Sequence, residues 1–217
     1  MDFSSVLDPT HWSALLSGLK VTLLVAFSAI ILSFIFGTIL GVLRYTRIPV
    51  VSHLAIIYIE AIRNLPLLLI IFFGYFALKD WGVQIPIALS VIISMTVFTS
   101  ALVAEIVRSG LNSVDKGQIE AARSQGFTYT QTLWYIIMPQ AMKKMIPPMV
   151  SQFVSLLKDT SLAVAISLPE LTHAAQIIYN SKYNATIPLL ILVSLIYFVI
   201  NYCLSLASRY LEKRLAG

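Results

Sequence analysis

The sequence predicts an all-α, polytopic membrane protein with about five transmembrane helices and a two-helix loop on the cytoplasmic side. Three observations predict it. The 217-residue chain is 58% apolar and only 12% charged, with a mean hydropathy of +0.85. Soluble domains carry about 45–50% apolar and about 25% charged residues. Several apolar windows reach the roughly 20 residues that a helix needs to cross a bilayer. Finally, the basic side chains gather in alternate connections between those windows. A net charge of +5 distributed in that way speaks for anionic headgroups and against nucleic acid.

The windows fall at 19–43, 50–78, 83–107, 146–168 and 187–206. The first is interrupted only by Lys20 at its edge. The second contains "EAIRNLP", the third is clean until Glu105, the fourth contains "KDTS", and the last is clean. The opening "MDFSSVLDPTHW" has no basic region, and its charges, Asp2 and Asp8, are acidic. The first apolar segment is therefore expected to stay in the protein instead of acting as a cleaved signal. Cys203 is the only cysteine, so no intrachain disulfide forms, and its apolar surroundings predict a small buried side chain. His11, His53 and His173 are scattered near ends and loops and read as interfacial groups. They do not form a metal site.

Charge bias orients the helices. One set of connections holds Arg44, Arg47, Arg108, Lys116, Arg123, Lys143, Lys144, Arg209, Lys213 and Arg214; the other holds Lys20, Lys79 and Lys182. Cytoplasmic loops are enriched in Lys and Arg, so the N-terminus is expected outside and the C-terminus in the cytoplasm.

That topology places the connection at about 112–140 in the cytoplasm. It is far longer than a turn requires. In "DKGQIEAARSQGF", Asp115 and Gln118 stand at capping-box spacing, and Gly126 suits the left-handed position that closes a helix. A short helix over 116–125 follows. Thr128 and Gln131 repeat the capping grammar, and Pro139 marks the expected end of a second short helix. The first helix is small-sided, with Ala121 and Ala122 beside Glu120. The second carries Leu133, Trp134, Ile136 and Ile137. Pattern alone leaves two readings open, a knob for a soluble partner or a hairpin lying on the headgroups.

The spacing of Glu120-Ala121-Ala122, Gly126, Ile136/Ile137 and Pro139 resembles the EAA loop of ABC importer permeases. "AEIVRSGLNSVDKGQIEAARSQGF", "PQAMKKMIPPMVSQFVSLLKDTSL" and "YIEAIRNLPLL" are similar to the polar-amino-acid branch, the histidine/glutamine/glutamate type. The resemblance covers roughly residues 15–215; Met138 stands where leucine or isoleucine is common. It implies one permease domain over 1–217 in a bacterial-type cell membrane. It also implies a second permease subunit, two cytoplasmic ATPase subunits and an extracytoplasmic solute-binding protein. Glu120, Ala121, Ala122 and Gly126 then become the ATPase-docking positions. The chain has no G-x-x-x-x-G-K-[ST] phosphate loop and no nucleophile–base arrangement, so it is expected not to be an enzyme. ATP and Mg would sit on the partner ATPase, with no cofactor here. "KDTS" looks closer to the glutamine and glutamate members than to the basic-amino-acid ones.

Charges within the spans are costly and persist where they pair or face a cavity. Lys158 and Asp159, followed by Thr160 and Ser161, stand about 18 Å into the fourth window at 1.5 Å per residue. They read either as a broken helix satisfied by its neighbours or as a site for a zwitterionic amino acid. Glu60, Arg63 and Asn64 share a helical face. They form an ion pair, or Arg63 and Asn64 belong to the substrate path, with Pro66 loosening the helix. Glu105 and Arg108 read as a structural pair. Ser94, Thr96, Thr99 and Ser100 read as helix-packing hydroxyls. The competing functional class is a stand-alone proton-coupled carrier or channel using Glu60, Glu105 and Asp159.

Overall fold

The computed structural model describes residues 8–46 and 48–216, without the side chains of 211–216. Asp2 and Arg47 lie outside the described residues, as do the side chains of Lys213 and Arg214. Helix α1 is Pro9–Thr46. Helices α2, Val51–Arg63, and α3, Leu67–Asp80, meet at a bend of 104°. Helix α4 is Ile87–Asn112 and α5 is Lys116–Ser124. Helix α6, Tyr129–Ile166, is followed by the short α7, Leu171–Ser181. Helix α8, Thr186–Ala216, ends the described chain. Four helices are long and apolar enough to cross a membrane, or five if α2 and α3 form one span.

Local chemistry explains these boundaries. Asp8 accepts from the Thr10 hydroxyl at 2.6 Å and from its amide at 2.9 Å. Those bonds hold the Asp8 carboxyl below its ordinary value. Pro66 does more than loosen the second window: the chain breaks there. Asn64 Nδ2 donates to the Glu60 carbonyl at 2.6 Å, closing α2. Pro66 is extended, with ψ 131°, and starts α3. A proline cannot supply the amide that would have carried the helix through.

The second loop helix also differs from expectation. Thr128 and Gln131 form the full capping box, but Pro139 does not end the helix. The turn at Tyr129–Gln131 passes through a π-segment, Thr132–Ile137, straight into Met138–Asp159. Widening the helix just before Pro139 removes the carbonyl clash that a regular α-turn would impose. The loop therefore contains one free-standing helix, α5, and the start of α6.

Two compact units emerge. One comprises 1–31, 65–96 and 154–204; the other comprises 32–64, 97–153 and 205–217. The first is built on Leu15, Leu171, Ala175, Ile178, Leu189 and Val193. The second is built on Val103, Val107, Leu111, Ile137, Ala141 and Met145. In the second unit α1 packs on α4 through Gly37 and Gly41, four residues apart. A Cβ on Gly37 would come within 2.7 Å of the Ser100 carbonyl, and one on Gly41 within 2.7 Å of the Ala104 carbonyl. This is the small-xxx-small solution to close helix approach in a membrane.

Helix α4 is the most enclosed span, with 56% of its apolar window buried, against 28% for α1 and 17% for α8. Leu24, Phe27 and Ile31 on α1 are exposed, as are Leu195, Phe198 and Tyr202 on α8. Apolar side chains facing outward are what a hydrocarbon solvent demands. Cys203, expected to be buried, is exposed on α8. Its apolar neighbours did not signify a core, because lipid-facing and buried positions share one composition.

Candidate functional site

In the unit of 32–64, 97–153 and 205–217, α5 is a capped helix held at both ends. Asp115 Oδ1 accepts from the Gly117 amide at 2.7 Å. At the other end Gly126 takes φ +88°. The Phe127 amide donates to the Ala122 carbonyl and the Gly126 amide to the Arg123 carbonyl, each at 3.1 Å. These are the two bonds of a Schellman motif, which needs a residue tolerant of left-handed geometry at C′. Val114 belongs to the unit's core, and Ile119 and Leu133 pack against it. Lys144 Nζ donates to the Ser113 carbonyl at 2.6 Å, fastening α6 to the entry of α5.

The small pair divides. Glu120 and Ala121 are exposed, whereas Ala122 is only 5% exposed. Ala122 lets α5 lie close to the body, and the surface on offer is that of Glu120 and Ala121. A Cβ added to Gly126 would meet nothing within 4 Å. Its role is therefore backbone geometry; it makes no room for a neighbour.

The same unit gathers five charged side chains. Arg44 reaches Glu105 at 2.9 Å and Glu60 at 3.0 Å. Arg63 lies 3.4 Å from Glu105 and 3.9 Å from Glu60. Arg108 Nε donates to both Glu105 oxygens, at 3.2 and 3.1 Å, and its Nη2 also pairs with Oε1. Three guanidiniums thus share two carboxylates, leaving one positive charge in surplus. Sequence spacing found the Glu60–Arg63 and Glu105–Arg108 pairs but not Arg44, which joins across 61 residues. Beside this network lies a cavity of about 520 Å³, bordered by Arg63, Glu105, Ser109, Lys144 and Gln152. Asn64 is used at the end of α2, and Tyr58 donates to the Val97 carbonyl at 2.9 Å, with Ser100 Oγ 3.1 Å away. Ser94, Thr96, Thr99 and Ser100 are all buried.

In the unit of 1–31, 65–96 and 154–204, α6 changes character at the "KDTS" stretch. The α-helix stops at Asp159 and Thr160–Ile166 continues as 3₁₀. Ser167, at φ 61°, closes it. Lys158 is exposed and Asp159 half-buried; neither makes an ion pair among the described residues. Thr160 Oγ1 donates to the Leu157 carbonyl at 2.7 Å and Ser161 Oγ to the Lys158 carbonyl at 2.8 Å. Those two hydroxyls complete the backbone where the helix tightens.

Sequence reasoning missed Glu170, which is 0% exposed. Its carboxyl accepts from the Thr172 and His173 amides at 2.8 Å and from the Tyr197 hydroxyl at 3.1 Å. Burial pushes this carboxyl up, and the donated hydrogen bonds only partly offset the effect. An acid after a proline and before an apolar helical run, as in "PELTHA", was the available signal.

The sequence matches the family of binding-protein-dependent transport system inner membrane components over residues 29–217. The chain belongs to that family. Every site residue described above lies inside the matched stretch. Within this transport family the chain is 56% identical over 216 residues to the probable glutamine ABC transporter permease protein GlnP of Bacillus subtilis (strain 168), covering 99% of each. It is 30% identical over 224 aligned positions to the glutamate/aspartate import permease protein GltK of Escherichia coli O157:H7, covering 99% of this chain and 98% of that one. Among solved structures it is similar to a crystal structure of an amino acid ABC transporter with histidines, at 33% identity and a TM-score of 0.92, covering 99% of both chains. The chain is thus a multi-pass membrane permease subunit, and a separate ATPase supplies the hydrolysis.

Proposed function

We propose that this chain is the membrane-spanning subunit of an ATP-driven importer for a polar amino acid, with glutamine the first candidate. The observation that carries this reading is 56% identity, end to end, with a glutamine ABC transporter permease. The whole chain acts as one permease domain. Its partners are a second permease subunit, two ATPase subunits and an extracytoplasmic binding protein, all in a bacterial-type cell membrane. The N-terminus lies outside, the C-terminus in the cytoplasm, and α5 on the cytoplasmic face.

Helix α5 seats in the ATPase through Glu120 and Ala121, with Ala122 and Gly126 holding its geometry. Core packing through Val114 and Ile119 lets α5 move with the body to which it is fixed. ATP closes the ATPase pair, α5 follows, and the spans pass from inward-open to outward-open. Only ligands that distinguish the two states can drive that shift; ATP and the loaded binding protein do so. The amino acid then meets Asp159 for its ammonium, Lys158 for its carboxylate, and the turn at Thr160 and Ser161. Arg63 and the network around Glu105 stand on the route of release. Glu60 and Glu105 are engaged by guanidiniums, which suits a brace better than the proton site that a stand-alone carrier requires.

The test is uptake into vesicles of radiolabelled L-glutamine, L-glutamate and L-histidine by the complete reconstituted complex. We expect ATP-dependent uptake that vanishes without the ATPase or the binding protein, with L-glutamine taken up best. Uptake by this chain alone, driven by a proton gradient, contradicts the reading.

A further inference from the structure

The ion-pair network does not balance its own charge. Arg44, Arg63 and Arg108 face Glu60 and Glu105, so one guanidinium charge is left over. Such a charge is costly in a bilayer until an anion or water reaches it. On the side of Arg44 and Arg108 the network opens into a second cavity, of about 340 Å³. It is bordered by Arg44 and Tyr45 at the end of α1, Ser52 and His53 at the start of α2, and Arg108 and Asn112 at the end of α4. All six belong to the unit of 32–64, 97–153 and 205–217. No Asp or Glu is among the described residues that line it.

The donors left over suit an anion. Arg44 uses Nη1 on Glu105 and Nη2 on Glu60, and Arg108 uses Nε and Nη2 on Glu105. Arg44 Nε and Arg108 Nη1 make no hydrogen bond among the described residues. The same holds for the side chains of His53 and Asn112, both exposed. Guanidiniums match the paired oxygens of a phosphate. Because α1 and α4 are spans, their ends stand at headgroup depth, where basic pockets between spans bind anionic headgroups. Val50, Leu54 and Ile57 are exposed and, at i, i+4 and i+7 from the residue before α2, fall on one side of it. His53 is next to that side at 3.6 residues per turn. A headgroup in the cavity therefore has apolar side chains beside it for its acyl chains. We propose that this cavity is a site for an anionic phospholipid, a phosphodiester carrying no ammonium, of the phosphatidylglycerol kind. Its single negative charge neutralises the surplus guanidinium. A zwitterionic lipid brings an ammonium that finds no carboxylate in the cavity. Which leaflet supplies the lipid follows from the orientation proposed above; the site itself requires neither that orientation nor the transported substrate.

The experiment is equilibrium binding of radiolabelled dioleoyl-phosphatidylglycerol to the delipidated, detergent-purified permease–ATPase complex, read as affinity and as number of sites. We expect one saturable site per permease chain, with dioleoyl-phosphatidylethanolamine a poor competitor. Asn112→Glu and His53→Glu each place a like charge beside the phosphate and should weaken binding about tenfold at unchanged site number. Asn112→Lys should tighten it about fivefold. Lys143→Glu, a larger charge change at an exposed position of α6 outside the cavity, should leave the affinity unchanged. Should His53→Glu fail to assemble, the two Asn112 variants decide. Wild-type affinity in the Asn112 variants, equal competition by phosphatidylethanolamine, or a Lys143→Glu effect as large as that of Asn112→Glu would reduce the binding to general attraction by a basic surface and overturn the proposal. Displacement by millimolar inorganic phosphate would make the cavity a soluble-anion site, and displacement by L-glutamine would assign it to the substrate route; either result overturns the lipid assignment. The importer reading fails separately, if the complete wild-type complex shows no ATP-driven uptake.

Discussion

Glu105 and Glu170 are both acids in a low-dielectric chain, and the two units house them by opposite means. Glu105 is surrounded by Arg44, Arg63 and Arg108. Glu170 has no cation partner among the described residues and is held by two amides and a phenol. The first arrangement is long-range and multivalent: removing one partner leaves others unpaired. The second is short and directional, so losing one donor changes the geometry more than the charge. Ion-paired groups suit a part that must hold together under load, and a hydrogen-bonded acid suits a part that must present atoms in one orientation.

The comparison breaks most readily at Glu105. Glu105→Gln leaves three guanidiniums facing one carboxylate and should cost about 2–4 kcal/mol, allowing for partial exposure. Thermal unfolding of the purified complex measures it, and a loss below about 0.5 kcal/mol would reduce the network to a surface ornament. A smaller contrast lies inside the network. Arg44 is 16% exposed and touches both acids at 3.0 Å or less; Arg63 is 34% exposed and stands farther off. Arg44→Gln should therefore destabilise at least twice as much as Arg63→Gln, in the same assay. Equal losses would mean that Arg63 is engaged more closely than its distances indicate.

The smallest expected effect is a pH dependence at Glu170. Its carboxyl is raised above the ordinary 4.5 by burial, so the folded state holds its proton longer than the unfolded chain does. The stabilisation is fully present below 4.5 and is lost as pH rises through the folded value. Glu170→Gln should flatten that slope of stability against pH. An unchanged slope would assign it to other groups.

Helix α5 and the start of α6 were readable because caps are local: Asp115 and Gly126 bound the first, and Thr128 and Gln131 cap the second, each within a few residues. Four of the five spans were readable from apolar length alone; the window at 50–78 breaks at Pro66. What stayed hidden required a second strand of chain. Pro139 looked like a stop because its penalty is local, while the π-segment that relieves it shows only once the helix is built. Arg44 looked like a headgroup anchor because both its acids lie elsewhere in the sequence. Glu170 was passed over because its partners come from α7 and α8. Gly37 and Gly41 had the right spacing, yet only the Ser100 and Ala104 carbonyls facing them show that a close approach uses it.

The central claim is that energy reaches this permease through the exposed face of α5. Ala121→Trp tests it most directly, since Ala121 is exposed while Ala122 is buried. The account predicts that the variant inserts into membranes at wild-type levels but no longer co-purifies with its ATPase. Co-purification of an intact, ATP-hydrolysing complex with Trp at position 121 would contradict it.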